Sequence, residues 1–336
     1  MRSAPLTPGM RTDSGRGAAA VVSTAAAVVA ADPVLWLLGI VGFGARGGLV
    51  LLTLPVLTIP SPVLLSIVFR DQLGTSGLNS SFDVLAIIAA AVTGIIALLA
   101  ILVSAWAELN AVERCAAEPH SEALRLGRSP RQLAASERRS LLLWVAAVQA
   151  TGLVPILVLM LLFVGRLTGV VSNELQQPSD LDTPLIIRIV RDAAPALVGL
   201  LLLVAVIEVL VSLASRRLIV ARLGLLPDGA GEPTEGRLAL HGALRLGRQP
   251  LRVAGVAALS WLTALVAIVV AVGGLTLAWG LTRQGLLSLG HTGDLGAMLG
   301  ALITACLLSA VWIGAFCVCG LASAFRSSLW TMDTLR

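Results

Sequence analysis

"ALRLGRSP" fills residues 123–130, and "ALRLGRQP" fills residues 243–250. Each copy stands just ahead of a long apolar run, at 141–165 and at 255–280. Three further runs, 84–106, 195–214 and 297–321, are of similar character. A helix needs about 20 predominantly apolar residues to cross the hydrocarbon core of a bilayer. Within lipid the backbone must satisfy its own polar groups, so each of these runs is predicted to be helical. The region 34–69 is also apolar but interrupted. Arg46 sits in it among Gly39, Gly42, Gly44, Gly47 and Gly48, and Pro55, Pro60 and Pro62 follow. It is long enough to cross once, as a broken or kinked helix.

Composition agrees with a membrane class. The 336 residues are 57% hydrophobic and 13% charged, where a soluble domain carries about a quarter charged residues. Mean hydropathy is +0.93. Lysine and tyrosine are absent, so every basic side chain besides histidine is arginine. The four cysteines, Cys115, Cys306, Cys317 and Cys319, are too few and too scattered for a disulfide framework.

Six crossings return both termini to one side, and the arginines choose that side. Eighteen fall in the N-terminal tail, the 107–140 and 215–254 connections and the C-terminal end. Five, Arg70, Arg166, Arg188, Arg191 and Arg283, fall opposite. Both termini are therefore expected in the cytoplasm of a bacterial cell, with the protein in its cytoplasmic membrane. Residues 17–31, "GAAAVVSTAAAVVAA", admit a cleaved signal peptide. Their weak, alanine-based hydrophobicity favours a juxtamembrane helix on the cytoplasmic face.

The octapeptide belongs to a larger repetition. Asp32-Pro33, Ser129-Pro130 and Gln249-Pro250 each precede an odd-numbered span, and Pro suits the first helical position because its missing N–H is unpaired there. The returning spans end alike, in "LVSAWAELNAV" (102–112), "LVSLASRRLIV" (210–220) and "LASAFRSSLWT" (321–331). The outer connections echo as "SIVFRD" (66–71) and "RIVRDA" (188–193). The expected fold is all-α: six transmembrane helices as three tandem two-helix units, about 33–120, 121–242 and 243–331, with amphipathic cytoplasmic in-plane segments. A tail at 1–32, one six-span domain at 33–321 and a short C-terminal tail at 322–336 complete it. The units enter from one side, as parallel repeats rather than inverted ones.

Within the octapeptide, Arg125 and Arg128, and again Arg245 and Arg248, stand three apart on one helical face. A basic amphipathic segment beside a membrane lies in the interface with its arginines toward anionic headgroups. The plainer alternative is that they enforce topology and snorkel. Glu208, in "LLLLVAVIEVLVSL", is the one acid well inside a span. Arg46 is its natural partner, and such a pair serves as a proton relay, a substrate anchor or a static tie.

Other motifs are weaker. Gly42, Gly44 and Gly47 spell G-x-G-x-x-G, but they interrupt a membrane segment where a dinucleotide site needs a strand before and a helix after. Close packing or a bend is expected there, and close packing again at Gly296 and Gly300. Cys317 and Cys319 lack further ligands at metal-site spacing. His120, His241 and His291 lie in three different connections, and His291 with Asp294 has no serine motif beside it. Trp36, Trp106, Trp144 and Trp261 near one set of span ends, with Trp279 near the other, make an aromatic belt. The loop "LLPDGAGEPTEGR" (225–237) is an insertion relative to the first connection. No metal, cofactor or nucleic-acid partner is expected.

The pattern of a basic "ALRLGR" segment, a proline and a long apolar helix resembles bacterial six-span proteins similar to the membrane domain attached to some glycerophosphoryl diester phosphodiesterases. The resemblance covers most of the chain from about residue 30. The phosphodiesterase itself needs a soluble barrel with metal-binding carboxylates and histidines, and the sequence holds no such module, so the resemblance implies no activity. The expected function is non-enzymatic: organising membrane lipids, anionic ones included, or partner membrane proteins, further copies of itself among them. The alternative is a small-solute or lipid permease that uses Arg46 and Glu208.

Overall fold

The computed structural model describes residues 14–56, 80–119, 127, 129–176, 185–226, 234–292 and 294–335. Regular structure among them is helical throughout. Helix α1 (Ser14–Ala31) leads into α2 (Pro33–Phe43), a π-helical turn (Gly44–Gly48) and α3 (Leu49–Thr53). Then come α4 (Ser80–Ala117), α5 (Ala135–Gln176), α6 (Leu185–Arg222), α7 (Glu235–Ala243) and the single turn α8 (Arg245–Arg248). Helices α9 (Pro250–Thr292) and α10 (Leu295–Leu335) complete the chain.

Local chemistry sets several of these starts. Asp32 is extended (φ −116°, ψ 100°), and its carboxylate accepts from the Val34 N–H at 2.9 Å, with Pro33 opening α2. Pro250 likewise stands at the first position of α9. Pro130 does not open α5, contrary to the expected parallel. Residues 129–134 are non-helical, and the helix starts at Ala135. The Arg131 N–H is taken instead by the Leu223 carbonyl at 3.0 Å, past the end of α6. The Glu137 carboxylate then caps the true start by accepting from the Ala134 N–H at 3.0 Å.

Six stretches are long and apolar enough to cross a bilayer: Pro33–Thr53, Ile87–Ala117, Ala135–Val171, Ile187–Arg222, Pro250–Gly290 and Leu295–Leu335. Large side chains along them, Leu161, Leu202, Val269 and Leu277 among them, stand exposed. A water-soluble fold rarely shows so broad an apolar surface; a lipid-facing one requires it. The protein is a multi-pass integral membrane protein. Of the segment 34–69, only residues 34–56 are described, and they carry one crossing; "SIVFRD" lies outside the described residues, as do 227–233 of the inserted loop.

Helix α10 is the hub, packing on α9, α2, α1, α4 and α6. Helices α5 and α6 lie along each other, as do α2 and α4. The main core gathers the last turns of α4, α6 and α10, the first turns of α2 and α5, and α1 laid against them. Residues read as a C-terminal tail continue α10 as helix, with Trp330, Met332 and Leu335 buried.

Glycine makes the closest approach possible. A Cβ on Gly39 would press into the Gly320 carbonyl and lie 2.8 Å from the Ala324 nitrogen; one on Gly320 would lie 2.7 Å from the Ile40 Cα. Helices α2 and α10 thus meet backbone to backbone. Gly296 and Gly300 do not do the same. A Cβ at Gly300 meets open space, and one at Gly296 meets only Asp294 at 3.7 Å. The close point between α9 and α10 is instead Gly285, where a Cβ would lie 2.8 Å from the Thr304 hydroxyl.

Candidate functional site: a buried ion network facing a cavity

The site begins with a bend. Arg46 leaves helical geometry (φ −84°, ψ 18°) and Gly47 turns left-handed (φ +91°) inside the π-helical turn. Only glycine takes that conformation without strain, and π turns re-aim side chains out of register with their helix. The glycine-rich stretch thus supplies the expected bend. It swings Arg46 onto α4, where Ser104 and Glu108 stand one turn apart on one face. Arg46 Nη2 reaches Glu108 Oε2 at 2.7 Å, and its Nε donates to Ser104 Oγ at 3.0 Å.

Glu108 gathers more than one partner. Gln149 of α5 donates to its Oε2 at 2.8 Å. From α6, Ser215 donates to Oε1 at 2.7 Å, and Arg216 Nη1 stands 3.2 Å from the same oxygen. Arg216 and Glu108 are both almost wholly buried. A buried charge is costly unless it is paired and its remaining lone pairs are hydrogen-bonded. Here three hydrogen-bond donors and a second guanidinium, drawn from three neighbouring elements, surround the carboxylate.

A second pair follows. Arg326 of α10 binds the Glu208 carboxylate of α6 and donates through Nε to Ser260 Oγ of α9 at 2.9 Å. Both pairs line one cavity of about 490 Å³. Gln149, Ser212 and Ser323 add polar groups to its wall, while Ile101, Leu153, Ile156, Val204, Ile207 and Ile268 make the rest apolar.

Arg46 and Glu208 therefore share a cavity, but each takes another partner. The π-helical turn aims Arg46 at α4, and Arg326 occupies Glu208. Sequence reasoning missed Glu108 and Arg326 because both were assigned beyond their spans, at 84–106 and 297–321. The helices run on past those limits. The signal lay in the repeated returning segments, where Ser104 and Glu108 stand four apart and Arg326 follows five residues after Leu321.

The octapeptide arginines divide. Arg125 and Arg128 lie outside the described residues. Arg245 turns inward. Its Nη1 lies 3.2 Å from Asp333 Oδ2, and its Nη2 donates to the Asp333 carbonyl at 3.0 Å. Arg252 Nε holds Asp333 Oδ1 at 2.6 Å. Burial pushes the Arg245 pKa below the ordinary arginine value, while the Asp333 carboxylate acts in the opposite direction. Asp333 is buried, so this ion cluster fastens the octapeptide to the end of α10. Arg248 is exposed. Arg245 and Arg248 stand on one helical turn, but a buried carboxylate engages the first and the second is exposed.

Cys317 is exposed and Cys319 is buried. Among the described residues, no three His, Cys, Asp or Glu side chains gather as metal ligands would. Comparison with protein-family models, curated proteins and solved structures finds no match.

Proposed function

We propose that the protein is a non-enzymatic permease for an amphipathic solute or lipid, with the cavity between α2, α4, α5, α6, α9 and α10 as its binding chamber. The supporting observation is the cavity itself. It joins an apolar wall to the ion pairs Arg46–Glu108 and Arg326–Glu208, all four residues standing on helices long and apolar enough to cross a bilayer. Ionisable groups there are costly and mark solute or ion paths by default. A lipid-organising role, the first expectation, is the second reading: Arg248 is exposed, while Arg245 is engaged by Asp333.

The proposed setting is a bacterial cytoplasmic membrane with both termini inside, on the strength of the arginine bias. Three out-and-back units fit the side-by-side packing of α2 with α4, α5 with α6, and α9 with α10. Basic segments lying in the inner interface, and kinship with the membrane domain named above, belong to the same reading.

Proteoliposomes carrying NBD-labelled phosphatidylcholine, phosphatidylglycerol or dodecanoic acid test this, with dithionite quenching as the readout. The protein should speed exchange of at least one probe between leaflets. Ala264→Trp, which fills the chamber, and Glu208→Gln should each stop it while the melting temperature holds. If every probe moves equally fast with and without protein, the permease reading fails. If Glu208→Gln lowers only the melting temperature, the pair is a structural tie.

A further inference from the structure

We infer that the chamber selects an amphiphile with an anionic headgroup, a carboxylate or a phosphate ester. The inference rests on the binding-chamber reading above and adds the chemical class of its ligand.

Charge carries the first step. The charged side chains on the wall are Arg46, Arg326, Glu108 and Glu208. Arg216 stands directly behind Glu108, at 3.2 Å. Counting Arg216, three guanidinium groups stand against two carboxylates, which leaves one positive charge unbalanced. Surplus charge is expensive in a low-dielectric interior, and one anion removes it.

Hydrogen bonding carries the second. Glu108 is well supplied, since Arg46 and Gln149 donate to Oε2, Ser215 donates to Oε1, and Arg216 pairs with Oε1. It has little left to offer a cationic ligand. The guanidinium groups do have more to give. Arg46 uses Nε and Nη2, and Arg326 uses Nε and Nη2. Neither Nη1 has a hydrogen-bond partner among the described residues. The Arg46 side chain is 46% exposed, on a residue that lines the chamber. Planar guanidinium donors suit carboxylate and phosphate oxygens.

The apolar wall carries the third. Ile101, Leu153, Ile156, Val204, Ile207 and Ile268 offer no polar group to a small hydrated anion. They match a hydrocarbon chain, whose burial is favoured in proportion to its apolar area. A headgroup at Arg46 and Arg326 with its chain along these residues uses both halves of the chamber.

Native mass spectrometry of the full chain in the nonionic detergent tetraethylene glycol mono-octyl ether tests this. The probes are dodecyl phosphate, dodecanoate, dodecanol, dodecyltrimethylammonium and inorganic phosphate. One dodecyl phosphate or dodecanoate should bind about tenfold or more tighter than dodecanol or the ammonium amphiphile. Either ranking of the two acids supports the inference and names the headgroup. Arg46→Gln and Arg326→Gln should each erase the preference, and Arg46→Lys should keep it. Equal binding of charged and neutral dodecyl probes overturns the charge selection and leaves the chamber standing. Preference for the ammonium probe overturns it as well. Inorganic phosphate binding as tightly as dodecyl phosphate overturns the amphiphile. No retained dodecyl probe at all overturns both this inference and the chamber reading.

Discussion

Arg46 and Glu108 meet at 2.7 Å although 62 positions separate them in the chain. The contact exists because a π-helical turn redirects one residue and a long helix carries the other past the limit its hydropathy suggested. Glu108 is also the counter-ion of the buried Arg216.

Glu108→Ala should therefore be among the most damaging single changes in the bundle. It strands Arg216 in the interior and removes the shared acceptor of Gln149, Ser215 and Arg46. Breaking one side of a buried ion pair costs about 3–5 kcal/mol. Denaturant titration in detergent micelles should show a loss of that order, and a loss below about 1 kcal/mol would contradict the assigned role.

Gly320→Ala should force α2 and α10 apart, because the added methyl meets the Ile40 backbone. Overpacking of this kind costs about 1–3 kcal/mol. Gly300→Ala, on the same helix but facing open space, should change stability by less than about 0.5 kcal/mol. Thermal melts of the two variants side by side check the contrast.

Gly47→Ala isolates the bend. Nothing lies within 4 Å of the added methyl, so the cost is the left-handed backbone alone. That amounts to about 1–2 kcal/mol. Relief of the strain would withdraw Arg46 from Glu108, so dodecyl phosphate binding should weaken more than stability does. A variant that loses stability but binds normally would detach the bend from the site.

Arg245→Gln and Arg248→Gln should separate cleanly. The first breaks a contact to the buried Asp333 and should cost about 1.5–3 kcal/mol, the range for hydrogen bonds to charged groups. The second should leave the melting temperature unchanged. If Arg248 touches lipid, its loss should lower the phosphatidylglycerol that copurifies with the protein. Reversed effects would mean that the two arginines have exchanged roles.

Much of the fold was legible because apolar length is a direct signature of a helix in lipid. The crossing segments and the bend at the glycines around Arg46 were readable on that ground, as was the Asp32-Pro33 start. What stayed hidden depends on neighbours. Pro130 looked like a helix start, but the Arg131 N–H is claimed by a carbonyl of another segment. Gly296 and Gly300 carried the right spacing and the wrong face. Arg245 looked like a lipid contact until Asp333, far along the chain, supplied its counter-charge. Glu208 was conspicuous in its apolar run, whereas Glu108 was masked by the polar residues of its own helix end.

The central place of α10 also bears on biogenesis. Every other described helix leaves the ribosome before the one on which most of them pack. Until it enters the membrane, Glu208 lacks the guanidinium that neutralises it, and the Gly39 face of α2 has no mate. The nascent chain must therefore hold an unfinished bundle during translation until α10 joins the described helices made before it.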